Sequence, residues 1–177
     1  RDAFIARGHD AISCDILPTE TPGPHIEGDI RDVDLTRYDL MIAHPPCTHL
    51  AVSGAAWFHK KEREQAEALE FVHWLMSVPV EHIAIENPVS IISSRIRKPE
   101  QIIHPYQFGH MEKKTTCLWL KNLPRLKEEC NVREPMLALP KREQERVHYL
   151  PPGPNRWKER SKTFPGIARA MARQWGS

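Results

Sequence analysis

The chain contains no apolar run near the roughly 20 residues a helix needs to cross a bilayer. Its opening, Arg1-Asp2-Ala3-Phe4-Ile5, shows no charged-then-apolar leader pattern. The expectation is a cytoplasmic protein with no membrane partner. Its four cysteines, at 14, 47, 117 and 130, form no CxxC pair, which argues against a zinc finger or a disulfide scaffold. His44, His49, His104 and His110 stand at spacings that fit no metal motif, so no metal is expected. No internal repeat, heptad array or low-complexity tract is present.

Proline, by contrast, is abundant. Sixteen prolines punctuate the gaps between short apolar segments. Charge is uneven as well. Residues 1–94 hold 7 Lys/Arg and 15 Asp/Glu, net −8, while residues 95–177 hold 18 and 8, net +10. A basic second half points to a polyanionic partner.

Arg1 to Gly8 reads as a helix closed by glycine. Residues 11–14 read as a short strand ending at Asp15, and a small apolar segment with an internal Gly28-Asp29 follows over 26–30. Tyr38 to His44 is the clearest strand, and it runs straight into Pro45-Pro46-Cys47-Thr48. Residues 60–77 carry Ala66, Leu69, Val72 and Met76 at helical spacing. Strands are expected again at His82–Ile85, running into Glu86-Asn87-Pro88, and at Thr116–Leu120. A last helix covers Pro165 to Gln174. Alternating strands and helices predict an α/β fold with a mostly parallel sheet. Residues 121–162 are basic, proline-rich and weakly periodic, and read either as a small subdomain or as long loops.

In such a sheet, ligands bind at the carboxyl ends of the strands. Three predicted strands end in polar or reactive groups: Asp15, His44 through Cys47, and Glu86-Asn87. An acidic residue at a strand end suits ribose hydroxyls. A cysteine after two prolines sits on a stiff loop, because each proline fixes its own φ and restricts the residue before it.

Pro45-Pro46-Cys47 after one strand and Glu86-Asn87 after the next resemble the nucleophile loop and Glu-Asn motif of the DNA cytosine-C5 methyltransferases. The chain is similar in particular to the compact phage and prophage members. Asp15 and Asp29 match the family's acidic positions, residues 107–119 stand where its glutamine-arginine motif falls, and residues 161–173 resemble its last motif. Thr48, Pro88 and Lys113-Lys114 depart from the usual residues. Residue 1 falls in the helix that follows the family's first strand and cofactor loop, so the resemblance implies a chain lacking both.

The resemblance implies a Rossmann-like fold that uses S-adenosyl-L-methionine, with a catalytic core over 1–120, a small basic target-recognition region over 121–162 and a helix over 163–177 returning to the core. It implies methyl transfer to C5 of cytosine in DNA, with Cys47, Glu86 and Asn87 catalytic. Cys47 would add to C6 as the thiolate, Glu86 would bind and protonate N3 from a carboxyl whose pKa is raised by burial, and Asn87 would hold the loop. Asp15, Asp29 and Pro45 fall to the cofactor, and Lys113, Lys114, Arg95 and Arg97 to DNA phosphates. Such chemistry needs the base flipped from the stack, and Trp57 or Phe58 could stack on it. Three other functions stay open: a binding module without catalysis, methylation of a free cytosine nucleotide, and methylation of an exocyclic amine. The last uses an Asp/Asn-Pro-Pro-aromatic loop, whose two ends are His44 and Cys47 here.

Overall fold

The longer strands and helices form where apolar periodicity places them, and the pairing of the strands sets the architecture. The computed structural model describes residues 1–54, 60–154 and 156–176. Trp57 and Phe58 lie outside them. The strands are β1 (Ser13–Asp15), β2 (His25–Glu27), β3 (Leu40–Ala43), β4 (His82–Asn87), β5 (Gln101–Ile103) and β6 (Thr116–Lys121). The helices are α1 (Asp2–Ile5), α2 (Glu62–Ser77), α3 (Ile92–Arg95), α4 (Arg133–Leu137), α5 (Lys141–Gln144), α6 (Arg156–Ser161) and α7 (Pro165–Trp175). None of these helices is long and apolar enough to cross a membrane.

The chain forms two compact units. The first takes Arg1–Asp34, Pro105–Glu112 and the stretch from Leu126 onward; the second takes Leu35–His104 and Lys113–Arg125. These units and the three segments named from the sequence divide the chain at different places.

The second unit is built on a four-stranded sheet in the order β3-β4-β6-β5. β3 and β4 are parallel, with Leu40 opposite His82 and Ala43 opposite Ile85. Both β4 with β6 and β5 with β6 are antiparallel. The sheet is therefore mixed, whereas the sequence reading expects it to be mostly parallel. The connections explain the difference. α2 lies between β3 and β4, the crossover that a parallel pair requires, whereas no long helix separates β5 from β6. A buried apolar run such as Thr116–Leu120 marks a strand but not its direction.

β4 is the central strand, with Ile83, Ala84 and Ile85 fully buried. Val72 and Leu75 of α2 are buried in the same unit, and Pro79 follows the helix. Glu62 and Glu64 fall in the first turn of α2, where carboxylates favour the helix dipole. Just before β5 begins, side chains continue its pairing with β6: Glu100 Oε2 accepts from Leu120 N at 2.7 Å and Arg97 donates to Leu120 O at 3.2 Å.

The first unit holds the parallel pair β1–β2 and the contact of α1 with α7. The predicted opening helix is shorter than expected: α1 ends at Ile5 and a turn runs to Gly8, whose φ of 87° suits only glycine comfortably. The weakly patterned residues from Leu126 form short helices anchored by buried Leu126, Met136 and Val147.

α7 buries Ile167, Ala170, Met171, Ala172 and Trp175. Its start is crowded. Gly166 N donates to His110 Nε2 at 2.9 Å, and a Cβ at Gly166 would run into the Phe108 carbonyl oxygen. We expect Gly166→Ala to cost about 1–3 kcal/mol, as overpacking does, read as a lower urea midpoint. His110 caps the helix as an acceptor, so it must be neutral there. Burial, then the charge of Arg169, hold its pKa below the ordinary value, against the opposing pull of Glu112. The unfolded chain therefore binds the proton more readily. Stability should be full above about pH 6.5 and fall as pH drops from there toward the folded-state value. His110→Asn, which keeps an acceptor and cannot titrate, should flatten part of that slope in urea titrations between pH 5 and 7. The rest is expected from His104, lowered by burial and by Lys113.

Candidate active site

The parallel register of β3 and β4 aligns their carboxyl ends. Ala43 is opposite Ile85, so the next residues, His44 and Glu86, meet across the strands. His44 Nδ1 lies 3.0 Å from Glu86 Oε2. One residue further, Asn87 Nδ2 donates to the Pro45 carbonyl at 2.8 Å. Asn87 is 1% exposed and Pro45 is buried. Proline has no N–H, so its carbonyl is the backbone group through which β4 can hold this loop.

After the prolines the chain turns at once. The Cys47 carbonyl accepts from Leu50 N at 3.0 Å and Ala51 N at 2.9 Å. Leu50 is wholly buried. Val52 N donates to Val89 O and Ile91 N to Leu50 O, both at 3.0 Å. The loop is thus tied to the exit of β4 at both ends, while the free thiol of Cys47 stays exposed.

Glu86 is largely enclosed, its side chain 16% exposed. Burial pushes its pKa up, but the hydrogen bond from His44 and the charges of His44 and Lys114 outweigh this and hold the carboxyl below its ordinary range. The sequence reading asks for a raised pKa at this position. It counts burial and misses the cations. The sequence reading places His44 at a strand end but gives it no part beside Glu86. The signal was available, since two adjacent parallel strands with polar residues one step past their last apolar pair must bring those residues level. On β6, Cys117 is opposite Asn87, and its thiol is pushed up by burial and by the charge of Glu86. His49 Nδ1, Asn87 Oδ1 and Ser90 Oγ are buried with no hydrogen-bond partner. Polar atoms left so in a native fold call for a reason, such as a bound water or ligand.

The four cations proposed for phosphate divide. Lys114 precedes β6 and acts on Glu86, and Lys113 beside it is exposed. Arg95 is exposed in the last turn of α3. The Arg97 guanidinium is occupied by the Glu100 carboxylate and the Leu120 carbonyl, so its part is structural.

Asp15 and Asp29 belong to the first unit, and both close local turns. Leu17 N donates to Asp15 Oδ1 at 2.9 Å, and Arg31 N to Asp29 Oδ1 at 2.9 Å. Each has a second carboxylate oxygen at or near the surface. Their charges, after burial, raise the Cys14 thiol, which places both near the end of β1. The chain matches no model of a known protein family and no curated protein.

Because Asn87 joins the strand end to the loop, Asn87→Ala should destabilise by about 1–3 kcal/mol by leaving a buried carbonyl unpaired. Hydrogen exchange at the Leu50 and Ala51 amides should quicken with it.

Proposed function

We propose that this chain methylates C5 of cytosine in DNA. The observation that carries the reading is the joint end of β3 and β4. An exposed thiol follows two prolines on a tethered loop, and an enclosed carboxyl stands on the neighbouring strand, hydrogen-bonded to His44. Cytosine C5 is a poor nucleophile until a group adds to C6. The Cys47 thiolate forms the S–C6 bond, the ring electrons shift to give an enamine, and N3 takes a proton. The enamine makes C5 nucleophilic. Glu86 accepts a hydrogen bond from the exocyclic amine, and its carboxylate relays to N3 a proton taken up from its surroundings. Once C5 carries the methyl group, water takes the C5 proton, the C6–S bond breaks to release the Cys47 thiolate, and the aromatic ring is restored.

The methyl donor in this reading is S-adenosylmethionine, which supplies an electrophilic methyl group when bound. Asp15 fits a ribose, with one carboxylate oxygen left by the Leu17 turn and the exposed apolar Ile16 next to it. Asp29 is more fully used, its second oxygen lying 3.7 Å from the Arg31 guanidinium, so a ligand there would compete with that ion pair. Pro45 supports the site by fixing the loop, its carbonyl being engaged by Asn87. Lys113, Lys114 and Arg95 suit phosphates along a strand from which the target base is flipped.

The test is covalent capture. Duplex DNA containing 5-fluorocytosine is offered with S-adenosylmethionine, and intact mass is read. An adduct is expected that vanishes in Cys47→Ala and forms about 10²–10⁴-fold more slowly in Glu86→Gln. Intact DNA binding with no adduct would favour a non-catalytic binder. An adduct formed only on the fluorinated free nucleotide would move the substrate away from DNA.

A further inference from the structure

The edge of cytosine that meets Glu86 presents two unlike groups, the N4 amine as donor and N3 as acceptor. A carboxylate satisfies the first with one oxygen, but N3 needs a proton. The surroundings of Glu86 work against its carrying one. His44 contacts it from the end of β3, the charge of Lys114 reaches it from the segment before β6, and its own charge reaches Cys117, one residue from its partner Leu118 on β6. The His44 hydrogen bond and the charge of Lys114 favour the ionised carboxylate. The Cys117 thiol is buried and raised, so it keeps its proton. His44 alone combines a direct 3.0 Å contact with a side chain still 41% exposed, and so can exchange protons with water.

We propose that His44 is a positioning residue for Glu86, an inference that rests on the cytosine-methylation reading: its Nδ1–H holds Oε2, leaves Oε1 to the amine, and the His44–Glu86 pair stores the proton that N3 receives. The proton balance closes. The step draws on the protonated form of the pair, imidazolium beside carboxylate, with no net charge. As the Cys47 sulfur bonds to C6, the C5–C6 π electrons move toward C4 and the C4–N3 pair moves onto N3. The proton passes from Nδ1 through Oε2 to N3. The pair is left as neutral imidazole beside carboxylate, and the thiolate's negative charge has been carried onto it. When the adduct breaks down, N3 returns the proton.

The rate of 5-fluorocytosine DNA capture should then be bell-shaped in pH. The acid limb belongs to Cys47, which must lose a proton, and the alkaline limb to the pair, which must keep one. His44→Ala should capture about 10- to 100-fold more slowly near neutrality, the value of a hydrogen bond to a charged group. His44→Asn, which can offer an amide N–H to the same carboxylate, should recover part of that loss but show an altered alkaline limb. If wild type forms the adduct and His44→Ala matches its rate and pH profile, the positioning role is wrong and the methylation reading stands. If wild type forms no adduct, both fall. Should His44→Ala fail to fold, an unchanged alkaline limb in His44→Asn would overturn the proposal by itself.

Discussion

The hydrogen bond from Asn87 to the Pro45 carbonyl joins the two strand ends on which the whole candidate site depends. Two consecutive prolines give the chain after β3 a stiff course but no backbone donors, so the loop cannot extend the ladder. A side chain from β4 has to hold it. Asn87 does so from a fully buried position, and the Val52 and Ile91 amides repeat the tie further along. The consequence is that an exposed cysteine stands on a turn tethered to β4 through its flanking residues. Rigid placement is what a nucleophile requires if its addition is not to be limited by the entropy of finding the target.

The electrostatics of Glu86 follow from the same strand pairing. A carboxyl at the end of a buried strand, taken alone, should resist ionisation. The parallel register sets His44 against it, and the antiparallel return of β6 brings Lys114 close. The His44 hydrogen bond and the Lys114 charge, from separate elements, reverse the effect of burial. This arrangement makes a lone carboxylic acid a poor description of the site and makes the imidazole–carboxylate pair the unit to consider.

The first unit shows how local chemistry can occupy a residue singled out for function. Asp15 and Asp29 each close an Asx turn, a common task for aspartate after a strand or before a helical turn. The task uses one oxygen of each; the other oxygen of Asp29 pairs with the Arg31 guanidinium. Arg97 is the opposite case, with its guanidinium committed to Glu100 and to the backbone of β6. The start of α7 is a third kind of constraint. There Gly166 has to be glycine because a carbonyl and an imidazole already fill the space.

Much of the fold was legible in the chain. Apolar runs bounded by prolines and glycines located β3, β4, β6, α2 and α7 to within a few residues, because burial periodicity and chain punctuation are local properties. The same runs identified Cys47, Glu86 and Asn87 as strand-end residues. β5 and the short helices after Leu126 were not legible, since segments of three to six residues are stabilised by partners distant in sequence. The direction of β6 was likewise decided only in three dimensions, as was the commitment of Arg97. The ionisation of Glu86 is the clearest division between the two levels. The sequence determined that a carboxyl ends a buried strand. Only the tertiary structure, by pairing that strand with β3 on one side and β6 on the other, decided which charges surround it and therefore which way its proton equilibrium moves.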